Sequence, residues 1–173
     1  QRLNEAVADL MAWHLRERDF VHIHGSGSYY GPSYYFDLLK EKGIDAAKHN
    51  NLIIREYIND MPRCLAAADL VISRCGAITL AEIRAAGKAS VLIPSPNVAE
   101  NHQYHNAMTL KKAGAAQLLE EKDLSGESLI NAVEGLICNK PLLEKMGEAA
   151  LKHAIPDANK RIYDVLMSLA DES

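Results

Sequence analysis

The sequence predicts an α/β domain: a parallel sheet with helices on both faces. Three observations predict it. Short apolar runs alternate with helix-forming stretches along the whole chain,. No two of the apolar runs lie close enough to form a hairpin, so strand pairing must be parallel with helical, right-handed crossovers. The stretch Asp69–Gly87 contains the whole unit: a buried strand over Leu70–Ser73, a tight turn at Arg74-Cys75-Gly76, and a helix that stops at Gly87,.

The elements follow in order. Leu3, Ala6, Val7, Leu10, Met11 and His14 recur at helical spacing, which predicts one amphipathic helix over Gln1–Arg18,. Asp19 breaks it, and Phe20–His24 reads as a strand with His22 and His24 on one face,. Gly25–Gly31, GSGSYYG, is a loop, Tyr34–Lys42 a helix ended by Gly43, and Asp45–Asn51 an irregular segment,. Leu52–Glu56 is the next strand. Asp60-Met61-Pro62 opens a helix that runs to Ala68, with proline tolerated in its first turn,. After Gly87, Ser90–Ile93 is a buried strand stopped by Pro94 and Pro96. His102–Ala113 is a helix ended by Gly114, and Ala116–Leu119 the last strand,. Ser125–Cys138, Pro141–Ala154 and Pro156–Ala170 read as three closing helices.

Composition narrows the function classes. The chain has 173 residues, enough for one domain with a real core and small for two,. Its formal net charge of −4 offers no overall basic field for nucleic acid or anionic lipid,. Three cysteines, Cys64, Cys75 and Cys138, show no metal-type spacing and read as free thiols in a reducing compartment,. No apolar run approaches the roughly 20 residues that span a bilayer, and no signal peptide opens the chain. The chain starts inside a helical pattern rather than on Met, so the expectation is a piece of a longer protein.

In parallel α/β sheets, ligands bind beyond the carboxyl ends of the strands. The loops at 24–31, 57–60, 74–78 and 94–103 all follow strands and should converge on one crevice. At Gly76 the unpaired N–H groups of a helix start, with the helix dipole, suit a phosphate, although one glycine is equally at home in a plain strand–helix turn. Glu82, further along that helix, either accepts from sugar hydroxyls or is an ordinary surface glutamate. The loop Gly25–Gly31 suits contact with phosphate or sugar, or is simply a surface loop. Gln103 and Asn106, three apart, share a helix face and offer donors and acceptors together, which suits neutral hydroxyls,. Asn101 reads as the N-cap of that helix. The pairs His22/His24 and His102/His105 have spacings that could hold a metal, but neither has evident further ligands. Glu82 and Glu100 could act as bases, yet nothing brings either an acidic partner. No nucleophile elbow, HExxH, Walker loop or GxGxxG occurs,.

The strings DLVISRCGAITLAEIRAAGKASVLIPSP and ENHQYHNAMTLKKAGAA, with REYINDMPRCLAAADL before them and IPDANKRIYDVL near the end, resemble the C-terminal, donor-binding half of the MurG family. These are bacterial transferases that move N-acetylglucosamine from UDP-GlcNAc to undecaprenyl-pyrophosphoryl-MurNAc-pentapeptide, turning lipid I into lipid II. The resemblance implies one Rossmann-like half of a GT-B enzyme, with residues 1–173 as the UDP-sugar donor domain. The domain's first strand and the N-terminal acceptor domain would lie outside this sequence.

By position, Ile58 resembles the residue whose backbone pairs with uracil. Gly76, Ala77, Ile78 and Thr79 resemble the turn that meets the diphosphate and sugar, and Glu82 the carboxylate that holds the ribose. Gln103 and Asn106 resemble the amides on the GlcNAc hydroxyls, with His102 beside them, and the resemblance implies that the loop with Ser26 and Gly27 borders the cleft. Cys75 stands where alanine or serine is more familiar, and His102 where some members carry glutamine. The resemblance implies an inverting displacement with no metal and no cofactor. The catalytic base belongs to the other half, so no catalytic residue is assigned in this chain, and the fragment alone is expected to be inactive. It further implies work at the cytoplasmic face of the membrane, held there peripherally through the other half. Two alternatives remain open: a donor-binding subunit that needs a separate partner chain, and another UDP-sugar transferase or epimerase.

Overall fold

The structure is a computed structural model that describes residues 2–18, 20–31, 33–98 and 101–171. Among the described residues five strands alternate with helices and three helices follow the last strand: α1 (Arg2–Glu17), β1 (His22–Gly25), α2 (Tyr34–Glu41), β2 (Leu52–Arg55), α3 (Met61–Ala67), β3 (Leu70–Ser73), α4 (Ala77–Ala86), β4 (Ala89–Leu92), α5 (His102–Lys112), β5 (Ala116–Leu118), α6 (Gly126–Ile137), α7 (Lys140–Lys152) and α8 (Ala158–Asp171). Every element predicted from sequence is present, with ends displaced by at most two residues. Within 45–51, expected to be irregular, Ala46–Lys48 forms a single 3-10 turn.

All strand pairs are parallel. β1 pairs with β2 in the register His22 with Leu52 to Gly25 with Arg55. β4 lies between β3 and β5, with Ser73 opposite Leu92 and Ser90 opposite Ala116. The sheet is not continuous among the described residues: β1-β2 and β3-β4-β5 are separate ladders. In a doubly wound sheet of order 3-2-1-4-5-6, strand 1 stands between strands 2 and 4. The interruption between β1 and β3 falls at that position.

One core joins the two ladders. Tyr35, Leu39 and Leu52 belong to the same buried cluster as Ala89, Val91, Ile93, Leu129 and Met146. A second cluster, with Leu80, Ile83, Leu92, Ala107 and Leu110, lies where α4 and α5 cover the other ladder. β4 is buried along its whole length, as its unbroken apolar run requires of a central parallel strand,. His22 and His24 share a face of β1, and their rings extend a buried stack from Phe20 and His14 to Tyr35.

The third closing helix does not close the domain. α8 has an apolar stripe, and Ile162, Tyr163, Val165, Leu166, Met167 and Leu169 on it are all exposed. Its ion pairs among the described residues are local, Lys160 with Asp164 and Arg161 with Asp157. No helix among the described residues is long and apolar enough to cross a membrane.

Candidate functional site

The turn after β3 is the best-defined feature at the carboxyl ends of the strands. Gly76 takes an extended conformation, φ −64° and ψ 146°, as the residue before α4, and no side chain caps the helix. The first intrahelical bond is Leu80 N–H to the Gly76 carbonyl at 3.0 Å. The N–H groups of Ala77, Ile78 and Thr79 therefore point out of the helix end with no acceptor among the described residues, as helix geometry dictates. Ile78 is 78% exposed, so this end of α4 is open rather than packed. Glu82 is exposed and lies four residues after Ile78 and three after Thr79. That spacing puts it on their face, about 7.5 Å along the axis from Ala77.

The α5 loop reaches the same turn. Gln103 Oε1 accepts from the Cys75 N–H at 3.2 Å and from the Ser95 N–H at 2.9 Å. Asn106 is half-buried one turn further on the same helix,. The amide of Gln103, read from sequence as open to a sugar, thus has its oxygen already engaged by backbone, leaving its Nε2 end.

Arg74 was not singled out from sequence. Its guanidinium donates to the carbonyls of Ile93 at 3.3 Å and Pro94 at 3.5 Å, and pairs with Glu121. A cation closing a buried strand is itself a signal, since it must find acceptors there. Nothing in the local sequence points to Glu121 as the partner. Cys75 is fully buried beside Arg74, and burial pushes its thiol up to about 12, with Arg74 opposing. The thiol is protonated and serves as packing.

The other ladder presents Ile58, half-buried after β2. Its side chain lies 3.5 Å from the place a Cβ on Gly25 would occupy. Ser26 and Gly27 continue the ladder through N–H bonds to the carbonyls of Arg55 and Glu56, and Asn4 Nδ2 holds the Ser26 carbonyl at 2.9 Å. Gly27 and Gly31 take φ 77° and 86°, which side chains disfavour,. The rings of Tyr29, Tyr30 and Tyr34 meet in sequence beyond them, the first pair edge-on and the second tilted.

The structure therefore brings Gln103 onto the turn that opens α4, with Glu82 one turn into α4 after Ile78 and Asn106 one turn after Gln103 on α5,. No hydrogen bond among the described residues joins Ile58 to that group. His102 is exposed at the start of α5. Asn101 precedes α5 as expected but at φ 52° and ψ 29°, with no side-chain cap. The left-handed backbone turns its side chain away from the capping geometry, which needs an extended residue. Glu100 lies outside the described residues. Among the described residues no group of three or more His, Cys, Asp or Glu is placed to hold a metal. Burial, with His24 and His14 nearby, holds His22 down at about 3, and burial holds His24 at about 4, so both are neutral parts of the ring stack at pH 7,. Two shallow depressions lie elsewhere, one beside Asp9, Lys42 and Ser125, the other beside Phe36, Ile44 and Leu52.

The model of the glycosyltransferase family 28 C-terminal domain matches residues 1–162. The chain is 46% identical over 133 residues to the Bacillus cereus UDP-N-acetylglucosamine–N-acetylmuramyl-(pentapeptide) pyrophosphoryl-undecaprenol N-acetylglucosamine transferase 1, covering 77% of this chain and 35% of that protein. It is 37% identical over 158 residues to the Desulforamulus reducens transferase of the same kind, covering 91% of this chain and 42% of that one. Among solved structures it resembles Acinetobacter baumannii MurG with a TM-score of 0.80 at 30% identity, over 96% of this chain and 46% of that chain. The glycotransferase of kitacinnamycin, at 17% identity and a TM-score of 0.63 over 84% of this chain and 33% of that one, shares the fold. The chain thus spans less than half the length of each of these relatives.

Proposed function

This chain belongs to the glycosyltransferase family 28 C-terminal domain family, and on that premise we propose that it is the donor-holding half of a UDP-GlcNAc-dependent transferase. The whole protein would pass N-acetylglucosamine to an undecaprenyl-pyrophosphoryl-linked muramyl pentapeptide. The relatives at 37% and 46% identity carry that activity in their names. The observation that carries the reading is the open end of α4, where three N–H groups face outward beside Gln103, with Glu82 one turn along the same face.

Each part has a physical task. The N–H groups of Ala77, Ile78 and Thr79 and the helix dipole stabilise the diphosphate, most of all as negative charge grows on it when the sugar departs. Glu82 accepts from the ribose hydroxyls, and Gln103 Nε2 with Asn106 grips the hexose. Ile58 offers backbone to uracil from the neighbouring ladder, and His102 borders the sugar. In the transfer, the acceptor hydroxyl oxygen forms a bond to the anomeric carbon as the bond to the UDP oxygen breaks. UDP leaves with the electron pair, and the hydroxyl proton goes to a base outside this chain. This half contributes position and charge stabilisation. Its lipid-linked acceptor would place the whole protein at the membrane surface, through the half that this chain does not contain.

The test is a titration of the chain with UDP-GlcNAc, UDP-glucose and UDP, followed by amide NMR. The expected result is saturable shifts at Ala77, Ile78, Thr79 and Glu82 with all three, and at Gln103 and Asn106 chiefly with UDP-GlcNAc. Shifts confined to other loops would refute the reading.

A further inference from the structure

Gln103 belongs to the proposed sugar site by its Nε2 end, but its other end is occupied by backbone. Two N–H groups, Ser95 at 2.9 Å and Cys75 at 3.2 Å, converge on one side-chain atom. An atom that meets two N–H donors has to be an acceptor, so the amide orientation is fixed. The two donors sit on different loops, one following β3 and one following β4, while Gln103 stands on α5. A single oxygen thus joins three elements.

From the same turn, Arg74 reaches to the carbonyls of Ile93 and Pro94 and to Glu121. The turn is thus tied to the segment after β4 at two points, directly by Arg74 and through Gln103 by the Cys75 N–H. Because the Cys75 N–H is spent on Gln103, the first N–H groups left for a ligand are those of Gly76 and the first turn of α4,. Their direction depends on how the turn is held.

We infer that Gln103 is a positioning residue, a latch whose side-chain oxygen fixes the Arg74–Gly76 turn, and through it the first turn of α4, against the loop after β4. What the turn holds rests on the donor-binding reading above; the latch itself belongs to the ligand-free chain. The consequence separates it from a residue that only touches sugar. A pure hexose contact leaves the affinity for UDP alone unchanged, whereas a latch sets the affinity for UDP as well.

Amide hydrogen exchange of the chain, with Gln103→Glu and Gln103→Met, tests it. The glutamate keeps the acceptor and is expected to keep Cys75 and Ser95 protected, with both amide protons moved downfield by the charge-assisted bonds. The methionine fills the space without an acceptor and is expected to speed exchange about tenfold at those two amides, the worth of one lost hydrogen bond. It is also expected to weaken binding of UDP about fivefold or more, again the order of one hydrogen bond. Unchanged exchange in Gln103→Met, equal loss of protection in Gln103→Glu, or UDP affinity unaltered in Gln103→Met would each overturn the latch. If Gln103→Met fails to fold, the Gln103→Glu exchange decides. If the unaltered chain binds neither UDP nor UDP-GlcNAc, the donor-binding reading falls, and the exchange comparison alone decides the latch.

Discussion

Gly147 of α7 faces the carbonyl oxygen of Gly87, so closely that a methyl group on Gly147 would fall on that backbone atom. Gly87 ends α4 at φ 62°, so the contact braces the helix whose other end is the candidate anion site. Alanine normally gains about 1 kcal/mol over glycine inside a helix. Overpacking against backbone costs about 1–3 kcal/mol. Gly147→Ala should therefore destabilise the chain in urea unfolding. Gly135→Ala is the control: it lies in α6 with open space around its Cα and should stabilise by about 0.5–1 kcal/mol. Opposite signs are the expected outcome.

Glu82 makes no hydrogen bond or ion pair among the described residues and is exposed on α4. Its removal should leave the unfolding midpoint unchanged. In the proposed role it accepts from ribose hydroxyls, so Glu82→Ala should weaken UDP binding by about 1–3 kcal/mol. Calorimetry on the two proteins checks it, and equal affinity would take Glu82 out of the site.

The strand–turn–helix at 69–87 was legible because its signals are local: an apolar run, a short turn, a glycine stop. Its α4 end could therefore be marked as a candidate anion site, beside the reading of a plain strand–helix turn, before any contact was known. The latch was not legible, because Gln103 meets N–H groups 8 and 28 residues away. An amide at helical spacing says which face it is on, not which of its two ends is already engaged. The same limit explains Arg74 and Glu121, 47 residues apart. It also explains α8, whose periodicity announces an apolar stripe but not what lies against it.

For α8 the exposure makes a definite prediction. Ile162 and Leu166 touch solvent rather than the core, so Ile162→Glu and Leu166→Glu should each change stability by no more than about 0.5 kcal/mol. Leu129, fully buried in α6, is the contrast: Leu129→Ala should cost about 2–5 kcal/mol. Thermal unfolding of the three variants checks both statements, and a large loss at Leu166 would mean that the stripe is covered within this chain.

The ring stack gives the chain an acid limit. His22 and His24 are held at about 3 and about 4 in the folded state, from an ordinary value of 6.5, chiefly by burial. His14, Phe20 and Tyr35 face them from α1, the α1–β1 connection and α2, and none carries a negative charge to offset a proton. The unfolded chain therefore binds more protons than the folded one between about pH 6.5 and 3, and stability rises with pH across that window. It is fully present above pH 6.5 and is lost as pH falls towards the folded values. Urea midpoints should fall steadily from pH 7 to pH 4. His22→Phe keeps an aromatic ring in the stack and removes the more shifted of the two titrating groups, so its midpoint should fall less over the same range. Equal slopes for the two proteins would show that His22 is not what makes the fold sensitive to acid.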